Sequence, residues 1–187
     1  MSEEELEVHV TGENGEIVMK VIVIGDGGVG KTSLLRKYVK KQFEYKYLPT
    51  VGVNISKQPM KYLNKDINLM FWDIAGQPQF HLLHKVYYNG ANAAILMFDL
   101  TNSPSFFNIK NWYNELIKYN LKEIPMILVG NKSDLTKDRK IIEPMVGNMM
   151  EQLGIEIYYE TSALNGQNVN EVFEKVVEVY LKKMNLI

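Results

Sequence analysis

A glycine-rich stretch near the N-terminus could bind the phosphate groups of a nucleotide. Residues 25–32 read Gly-Asp-Gly-Gly-Val-Gly-Lys-Thr and match the G-x-x-x-x-G-K-[ST] pattern of a phosphate-binding loop. Glycines leave backbone N–H groups accessible to a phosphate and permit the dihedrals of an anion-binding nest. Lys31 would reach the β- and γ-phosphates, and Thr32 would ligate Mg²⁺. The predicted nucleotide contacts here are Asp26, Gly27, Gly28, Val29, Gly30, Lys31, Thr32 and Ser33.

An acidic motif, Asp73-Ile74-Ala75-Gly76-Gln77, directly follows the apolar pair Phe71-Trp72. An aspartate at the carboxyl end of a strand can ligate Mg²⁺, usually through water. Gly76 can bring a backbone N–H close to a γ-phosphate, and Gln77 can hold a water for in-line attack. The pattern is weak by itself, because an ordinary turn could also carry it.

Two further motifs have the chemistry to recognise a guanine base. In Asn131-Lys132-Ser133-Asp134, a carboxylate at Asp134 can accept hydrogen bonds from guanine N1–H and its exocyclic amine. Adenine offers no such donor pair, so the wrong base would leave that charge unpaired. The alkyl stem of Lys132 can pack on the base. In Thr161-Ser162-Ala163, small side chains let a backbone N–H reach guanine O6. Each motif alone could be a polar turn, but four in the right order favour a nucleotide site.

Apolar segments alternate along the chain with segments of helical periodicity, and each motif follows an apolar segment. This alternation predicts an α/β fold with a six-stranded, mostly parallel sheet, one antiparallel strand and helices on both faces. Ligands bind at the carboxyl ends of the strands in such folds. The strands are predicted near residues 17–24, 52–62, 66–73, 93–100, 126–130 and 155–159. The helices are predicted at residues 30–41, 80–89, from Ser103 onward, 142–153 and 169–183.

The first sixteen residues form an acidic extension, and residues 17–187 form the globular domain in our prediction. Alternating apolar residues and the hairpin signal Asn14-Gly15 suggest an extra strand near residues 6–10, paired with the strand at 17–24. A frayed acidic tail is the alternative interpretation.

Composition restricts the partners and the compartment. The formal net charge of −1 gives no basic field for nucleic acid or an anionic membrane. The absence of cysteine excludes disulfides, thiol catalysis and thiolate metal sites, and it removes prenylation and palmitoylation of this chain. No apolar run reaches transmembrane length. We therefore expect a cytoplasmic protein without a direct membrane anchor in this chain, which reaches membranes only through partners.

The motifs together resemble those of the Ras superfamily of small GTPases, and most of all those of its Rab group. The resemblance spans about residues 17–183. The segments that carry it are Leu48-Pro49-Thr50-Val51-Gly52-Val53, Phe71-Trp72-Asp73-Ile74-Ala75-Gly76-Gln77, Tyr87-Tyr88-Asn89-Gly90-Ala91 and Met97-Phe98-Asp99-Leu100-Thr101. The implied fold is a P-loop NTPase of the small G domain type. The implied activity is a switch that binds GTP or GDP with Mg²⁺ and hydrolyses GTP.

The resemblance also implies roles for individual residues. Thr50 would ligate Mg²⁺ together with Thr32 and Asp73, Phe43 would pack on guanine, and Tyr47 would cover the phosphates. Gln77, Lys31 and Thr50 would form the catalytic set. Residues 43–56 and 73–88 would be two switch segments that order around GTP and contact effectors.

Regulation is predicted to come from other proteins. The chain contains only two arginines, Arg36 and Arg139, and neither belongs to a switch segment. Hydrolysis should therefore be slow alone, with a GTPase-activating protein supplying an arginine finger. A nucleotide exchange factor is also implied, and we expect a monomer.

Two alternatives compete with a hydrolytic switch. One is a scaffold that holds guanine nucleotide with impaired hydrolysis, and the other is a P-loop kinase or ATPase. Asp134 argues against the second, while Gln77 and Thr50 argue against the first. Pro78 keeps the scaffold open, because it stands directly after Gln77 where the family usually has glutamate. Proline biases the preceding residue towards extended dihedrals and removes one N–H.

We expect Pro78→Glu to change the rate of single-turnover GTP hydrolysis, because Pro78 alters the positioning of Gln77. The measurement is phosphate release from protein preloaded with GTP. An unchanged rate would show that Pro78 has no influence on Gln77.

Overall fold

The computed structural model describes residues 15–40, 50–76 and 81–187 of the chain. Its six strands form one sheet in the order β2-β3-β1-β4-β5-β6, in which only the β2–β3 pair is antiparallel. The strands are β1 (Ile17–Ile24), β2 (Val53–Tyr62), β3 (Lys65–Ile74), β4 (Ala93–Asp99), β5 (Met126–Asn131) and β6 (Tyr158–Thr161). The predicted mostly parallel, six-stranded α/β fold is thus confirmed.

Six α-helices surround the sheet in the described residues. They are α1 (Lys31–Lys40), α2 (His81–Tyr88), α3 (Ser103–Phe107), α4 (Ile109–Lys118), α5 (Glu143–Leu153) and α6 (Val169–Lys183), with a short 3₁₀ turn at Thr136–Asp138. None of the helices in these residues is both long and apolar enough to cross a bilayer.

Apolar side chains cover both faces of the sheet, as a central parallel sheet requires. On one face, α1 and α6 pack on β1 and β3, where Phe173 lies with its ring centroid 4.2 Å from Tyr38 and 4.9 Å from Phe71. On the other face, α2 to α5 cover alternate residues of β1, β4 and β5. Every residue of β4 is buried, so this strand lies at the centre of the core.

The predicted helix from Ser103 is in fact two helices that meet at Asn108. The side chain of Asn102, and not Ser103, caps the first of them by accepting a hydrogen bond from the Ser105 N–H at 3.1 Å. Pro104 lies in its first turn, where a missing N–H costs nothing.

The last strand begins later than the prediction of residues 155–159. Gly154 ends α5 in the left-handed conformation, which is common for a glycine directly after a helix. The Ile155 N–H then bonds the Met150 carbonyl at 3.1 Å, so this residue completes the helix cap. The strand therefore starts only at Tyr158. The predicted strand near residues 6–10 lies outside the described residues.

Phe173→Ala should destabilise the fold by about 3–5 kcal/mol, because it leaves a cavity among buried aromatic rings. Urea unfolding of the protein measures this loss. The matched control is Glu174→Ala, which removes an exposed side chain from the same helix and should stay within about 0.5 kcal/mol of the unmodified chain. Equal midpoints for both variants would contradict the packing described above.

Candidate functional site

The glycine-rich loop joins β1 to α1 and encloses its own lysine. Lys31 is 6% exposed, and its Nζ donates to the carbonyl oxygens of Gly25 at 2.7 Å and Asp26 at 2.8 Å. Burial lowers the pKa of Lys31 to about 8, and the carboxylates of Asp73 and Asp26 oppose that shift. A buried ammonium at the start of a helix provides a site whose charge suits a phosphate.

Two glycines allow backbone contacts that any side chain would block. Gly30 has φ +102°, and a Cβ there would lie 2.3 Å from Nδ2 of Asn131. A Cβ on Gly76 would lie 2.2 Å from the Gly25 carbonyl oxygen. The segment after β3 therefore packs directly on the phosphate loop, and Asn131 packs on the loop from the neighbouring strand.

The three predicted magnesium ligands meet beside the loop. The Thr32 hydroxyl donates to Asp73 Oδ2 at 2.5 Å, and the hydroxyl oxygens of Thr32 and Thr50 lie 2.9 Å apart. Burial raises the pKa of Asp73, while the Thr32 hydroxyl and the Lys31 charge act in the opposite direction.

The other oxygen of Asp73 supports a cation at this point. Asp73 Oδ1 is buried and receives no hydrogen bond within residues 15–40, 50–76 and 81–187. A buried carboxylate oxygen needs a donor or a cation. Two hydroxyls and a carboxylate are the hard oxygen donors that Mg²⁺ prefers, so these residues fit the ion.

Asn131 at the end of β5 connects the phosphate loop to the two motifs that are predicted to recognise the base. Its side chain is 2% exposed, and its Nδ2 donates to the Val29 carbonyl at 2.9 Å. Its Oδ1 accepts from the Thr161 hydroxyl at 3.1 Å and the Ala163 N–H at 3.3 Å. One buried amide therefore fixes three loops relative to one another.

The other predicted base contacts lie beside this amide. Asp134 Oδ1 accepts a hydrogen bond from the Ser162 hydroxyl, which joins the two motifs directly. Lys132 has φ +67°, and its Nζ forms an ion pair with Asp99 Oδ2 at 2.6 Å. Asp99 in turn accepts from the Thr101 N–H at 2.8 Å. The lysine stem is thus held by its charged end.

Sequence reasoning missed Asp99 and an ion pair that supports the base motifs. Asp99 follows a buried strand, the same signal that singled out the other site residues. Arg139 binds Glu160 through two hydrogen bonds, at 2.7 and 2.5 Å, and the Tyr158 hydroxyl donates to Glu160 at 3.0 Å. Arg139 lowers the pKa of the Glu160 carboxyl, and this pairing raises the pKa of Arg139. No local pattern indicates this pair.

Several predicted site residues lie outside the described part of the chain. They are Phe43, Tyr47 and Gln77, together with Pro78. Parts of the two predicted switch segments, residues 43–49 and 77–80, also lie there.

The comparison with known proteins agrees with the geometry. The model of the Ras family matches residues 20–182. The chain belongs to the Ras family. This Rab-like small GTPase is 36% identical over 172 residues to Ras-related protein Rab-3 of Caenorhabditis elegans. The matched region covers 92% of this chain and 78% of that protein. It is 36% identical over 180 residues to Ras-related protein Rab-27A of Rattus norvegicus. That match covers 90% of this chain and 81% of the relative.

A third relative has a similar level of identity. Ras-related protein RabL of Dictyostelium discoideum is 37% identical over 177 residues, which cover 91% of this chain and 87% of that protein. These matches confirm the resemblance to Rab proteins. They support a GTP-binding switch of the GTPase class.

Gly30→Ala should accelerate the release of bound GDP at least about tenfold, because the new methyl group displaces the Asn131 amide from its hydrogen bonds. The measurement is the dissociation rate of a fluorescent GDP analogue. Gly147→Ala is the matched control, since a Cβ there meets no atom within 4 Å and helix propensity favours alanine. Equal release rates for the two variants would contradict the role given to Gly30.

Proposed function

We propose that this Rab-like GTPase is a Mg²⁺-dependent molecular switch that binds GTP and GDP and slowly hydrolyses GTP to GDP and phosphate. The observation that carries the proposal is the double role of Asn131, which belongs to the first base motif and whose amide bonds the phosphate loop and the second base motif at once. A guanine held by Asp134 and Ala163 would thereby be fixed relative to phosphates held by the loop. That arrangement suits a nucleotide and no smaller anion.

The proposed roles of the phosphate-side residues follow from their chemistry. The backbone of residues 26–33 binds phosphate oxygens, and the Lys31 ammonium leaves its present carbonyl partners to neutralise the β- and γ-phosphates. Thr32, Thr50 and Asp73 would hold Mg²⁺, which supplies charge neutralisation at the phosphates when it is bound. Gln77 orients the attacking water, with Gly76 N–H near the γ-phosphate.

The base-side residues provide the specificity. Asp134 accepts two hydrogen bonds from guanine, and its present partner Ser162 keeps it oriented. Lys132 packs on one face of the base while Asp99 holds its ammonium. Phe43 packs on the base, and Tyr47 covers the phosphates, as the family resemblance implies.

The proposed effector surface comprises the two switch segments at residues 43–56 and 73–88. Among their described residues, Val51 is 79% exposed and Val86 is 68% exposed, and Ile55 and Leu83 are also exposed. Exposed apolar side chains of this kind are typical of protein-binding surfaces. An activating protein would supply an arginine finger and an exchange factor would open the site. We place this monomeric switch in the cytoplasm, in membrane traffic or signalling.

The identity and state of bound nucleotide test the proposal directly. Purified protein is denatured and the released nucleotide is chromatographed, and we expect GDP. GTP instead of GDP would favour the scaffold alternative, which Pro78 supports, because binding would be intact and hydrolysis blocked. A protein that takes up neither nucleotide when Mg²⁺ is supplied would contradict both functions.

Asp134→Ala should weaken GTP binding by roughly a hundredfold or more, because two hydrogen bonds to a charged acceptor are lost. The measurement is competition of GTP and ATP against a fluorescent GDP analogue. Asp138→Ala removes an exposed carboxylate four positions further along the same segment and should keep the preference for GTP. An ATP affinity equal to that for GTP in the unmodified chain would instead indicate a kinase or ATPase.

A further inference from the structure

The carboxylate of Asp26, the second residue of the phosphate loop, is bound by a distant helix. Its Oδ1 accepts hydrogen bonds from Asn108 Nδ2 at 2.5 Å and from Trp112 Nε1 at 2.8 Å. These donors lie 82 and 86 residues further along the chain, in α4 and the junction before it. The side chain of Asp26 is therefore hydrogen-bonded inside the protein, and its backbone carbonyl accepts a hydrogen bond from the Lys31 ammonium.

Both donors are fixed by their surroundings. Trp112 is only 3% exposed, so its indole N–H needs an acceptor inside the protein, and Asp26 provides one. The side-chain oxygen of Asn108, Oδ1, accepts a hydrogen bond from Asn111 Nδ2. This bond directs the side-chain nitrogen of Asn108 towards Asp26. The carboxylate thus receives one donor from helix α4 and one from the residue that directly precedes it.

The same helix also holds the helix of the second switch segment. The rings of Trp112 and His84 lie 5.5 Å apart, and His84 Nδ1 lies 2.9 Å from Glu115 Oε1. The Tyr88 hydroxyl donates to Glu115 Oε2 at 3.3 Å. Helix α4 therefore contacts both the phosphate loop and α2 through neighbouring turns.

The segment after β3 adds a second constraint on the same part of the loop. A Cβ on Gly76 would lie 2.5 Å from the Asp26 carbonyl carbon and 2.7 Å from the Gly27 nitrogen. Residues 25–27 thus have close neighbours on two sides, one from the second switch segment and one from α4. A shift of Asp26 would move the carbonyl that holds Lys31 and the N–H groups that follow it.

We propose that Trp112 and Asn108 are positioning residues of the phosphate loop, which act through the Asp26 carboxylate and slow the release of bound nucleotide. The inference rests on the proposed function, since it concerns the same nucleotide site. Neither residue would touch the nucleotide. Their effect is to hold the loop in the conformation in which its N–H groups converge on the β-phosphate.

The first test uses the full chain loaded with a fluorescent GDP analogue in the presence of Mg²⁺. Trp112→Phe keeps an aromatic ring at this position beside His84 and removes the N–H donor together with part of the indole ring system, and the double-mutant cycle below separates these two effects. We expect release to accelerate about tenfold, as the loss of one buried hydrogen bond to a carboxylate implies. Asn108→Ala should act in the same direction. Tyr113→Phe removes a polar atom from the adjacent residue of the same helix and should leave the rate unchanged.

A double-mutant cycle separates positioning from general packing. Asp26→Ala removes the shared acceptor and should itself accelerate release. Adding Trp112→Phe to Asp26→Ala should change the rate less than about twofold, because the bond is already absent. Full additivity of the two substitutions would overturn the inference, because Trp112 would then act by another route.

The remaining outcomes are equally decisive. If Trp112→Phe and Asn108→Ala both release the analogue at the unmodified rate, the inference is wrong, even where the thermal midpoint falls. In that case retention of GDP by the unmodified chain would leave the proposed function standing. A chain that never retains GDP would overturn the proposed function and this inference together.

Discussion

The geometry of the site depends on the buried amide of Asn131. Its Nδ2 bonds the Val29 carbonyl 102 residues away in sequence, and its Oδ1 accepts from two residues of the loop after β6. An unsatisfied buried amide costs more than its hydrogen bonds gain, so the three loops must assemble together or not at all. The amide can come so close only because position 30 has no side chain. The phosphate loop and the two motifs proposed to recognise the base are therefore parts of one structural unit.

The sheet explains why these loops meet. In the strand order, β1 lies between β3 and β4, so the loops after β1 and β3 open on one side of the site and those after β5 and β6 on the other. Open α/β sheets bind ligands outside the carboxyl ends of their strands, at the point where the strand order reverses. The last residue of the fully buried β4, Asp99, forms an ion pair with Lys132 of the first base motif.

The motifs were predictable because each is a short pattern at the carboxyl end of a strand. Gly30, Asp73 and Asp134 could be singled out by residue type and spacing alone. The Asp26 carboxylate was different: its loop position suggests a nucleotide contact, yet its partners lie in a helix more than eighty residues away. No local pattern contains that information. The Arg139–Glu160 pair escaped prediction for the same reason.

The predicted secondary structure differs from the observed one at two places, and in each case the cause is a tertiary contact or a helix cap. The interruption of the predicted helix at Asn108 coincides with the side chain that reaches the phosphate loop. Ile155 and Ile157 suggested a strand, because a hydrophobic pattern does not distinguish a strand from a helix cap that packs on the core. Hydrophobic periodicity was sufficient to predict whether a segment is a strand or a helix. It did not predict where these elements end, because the ends depend on individual hydrogen bonds.

The placement of the two tryptophans has a practical consequence for spectroscopy. Trp72 directly precedes Asp73, and the Lys20 ammonium lies 3.6 Å from the centroid of its ring. Trp112 shares a hydrogen bond with the phosphate loop through its indole nitrogen. Each indole therefore contacts a charged group. Trp72 is adjacent in sequence to the site residue Asp73, and Trp112 is hydrogen-bonded to Asp26 of the phosphate loop. We expect the intrinsic tryptophan emission to respond to changes at this site, and the chain has no third tryptophan to add background.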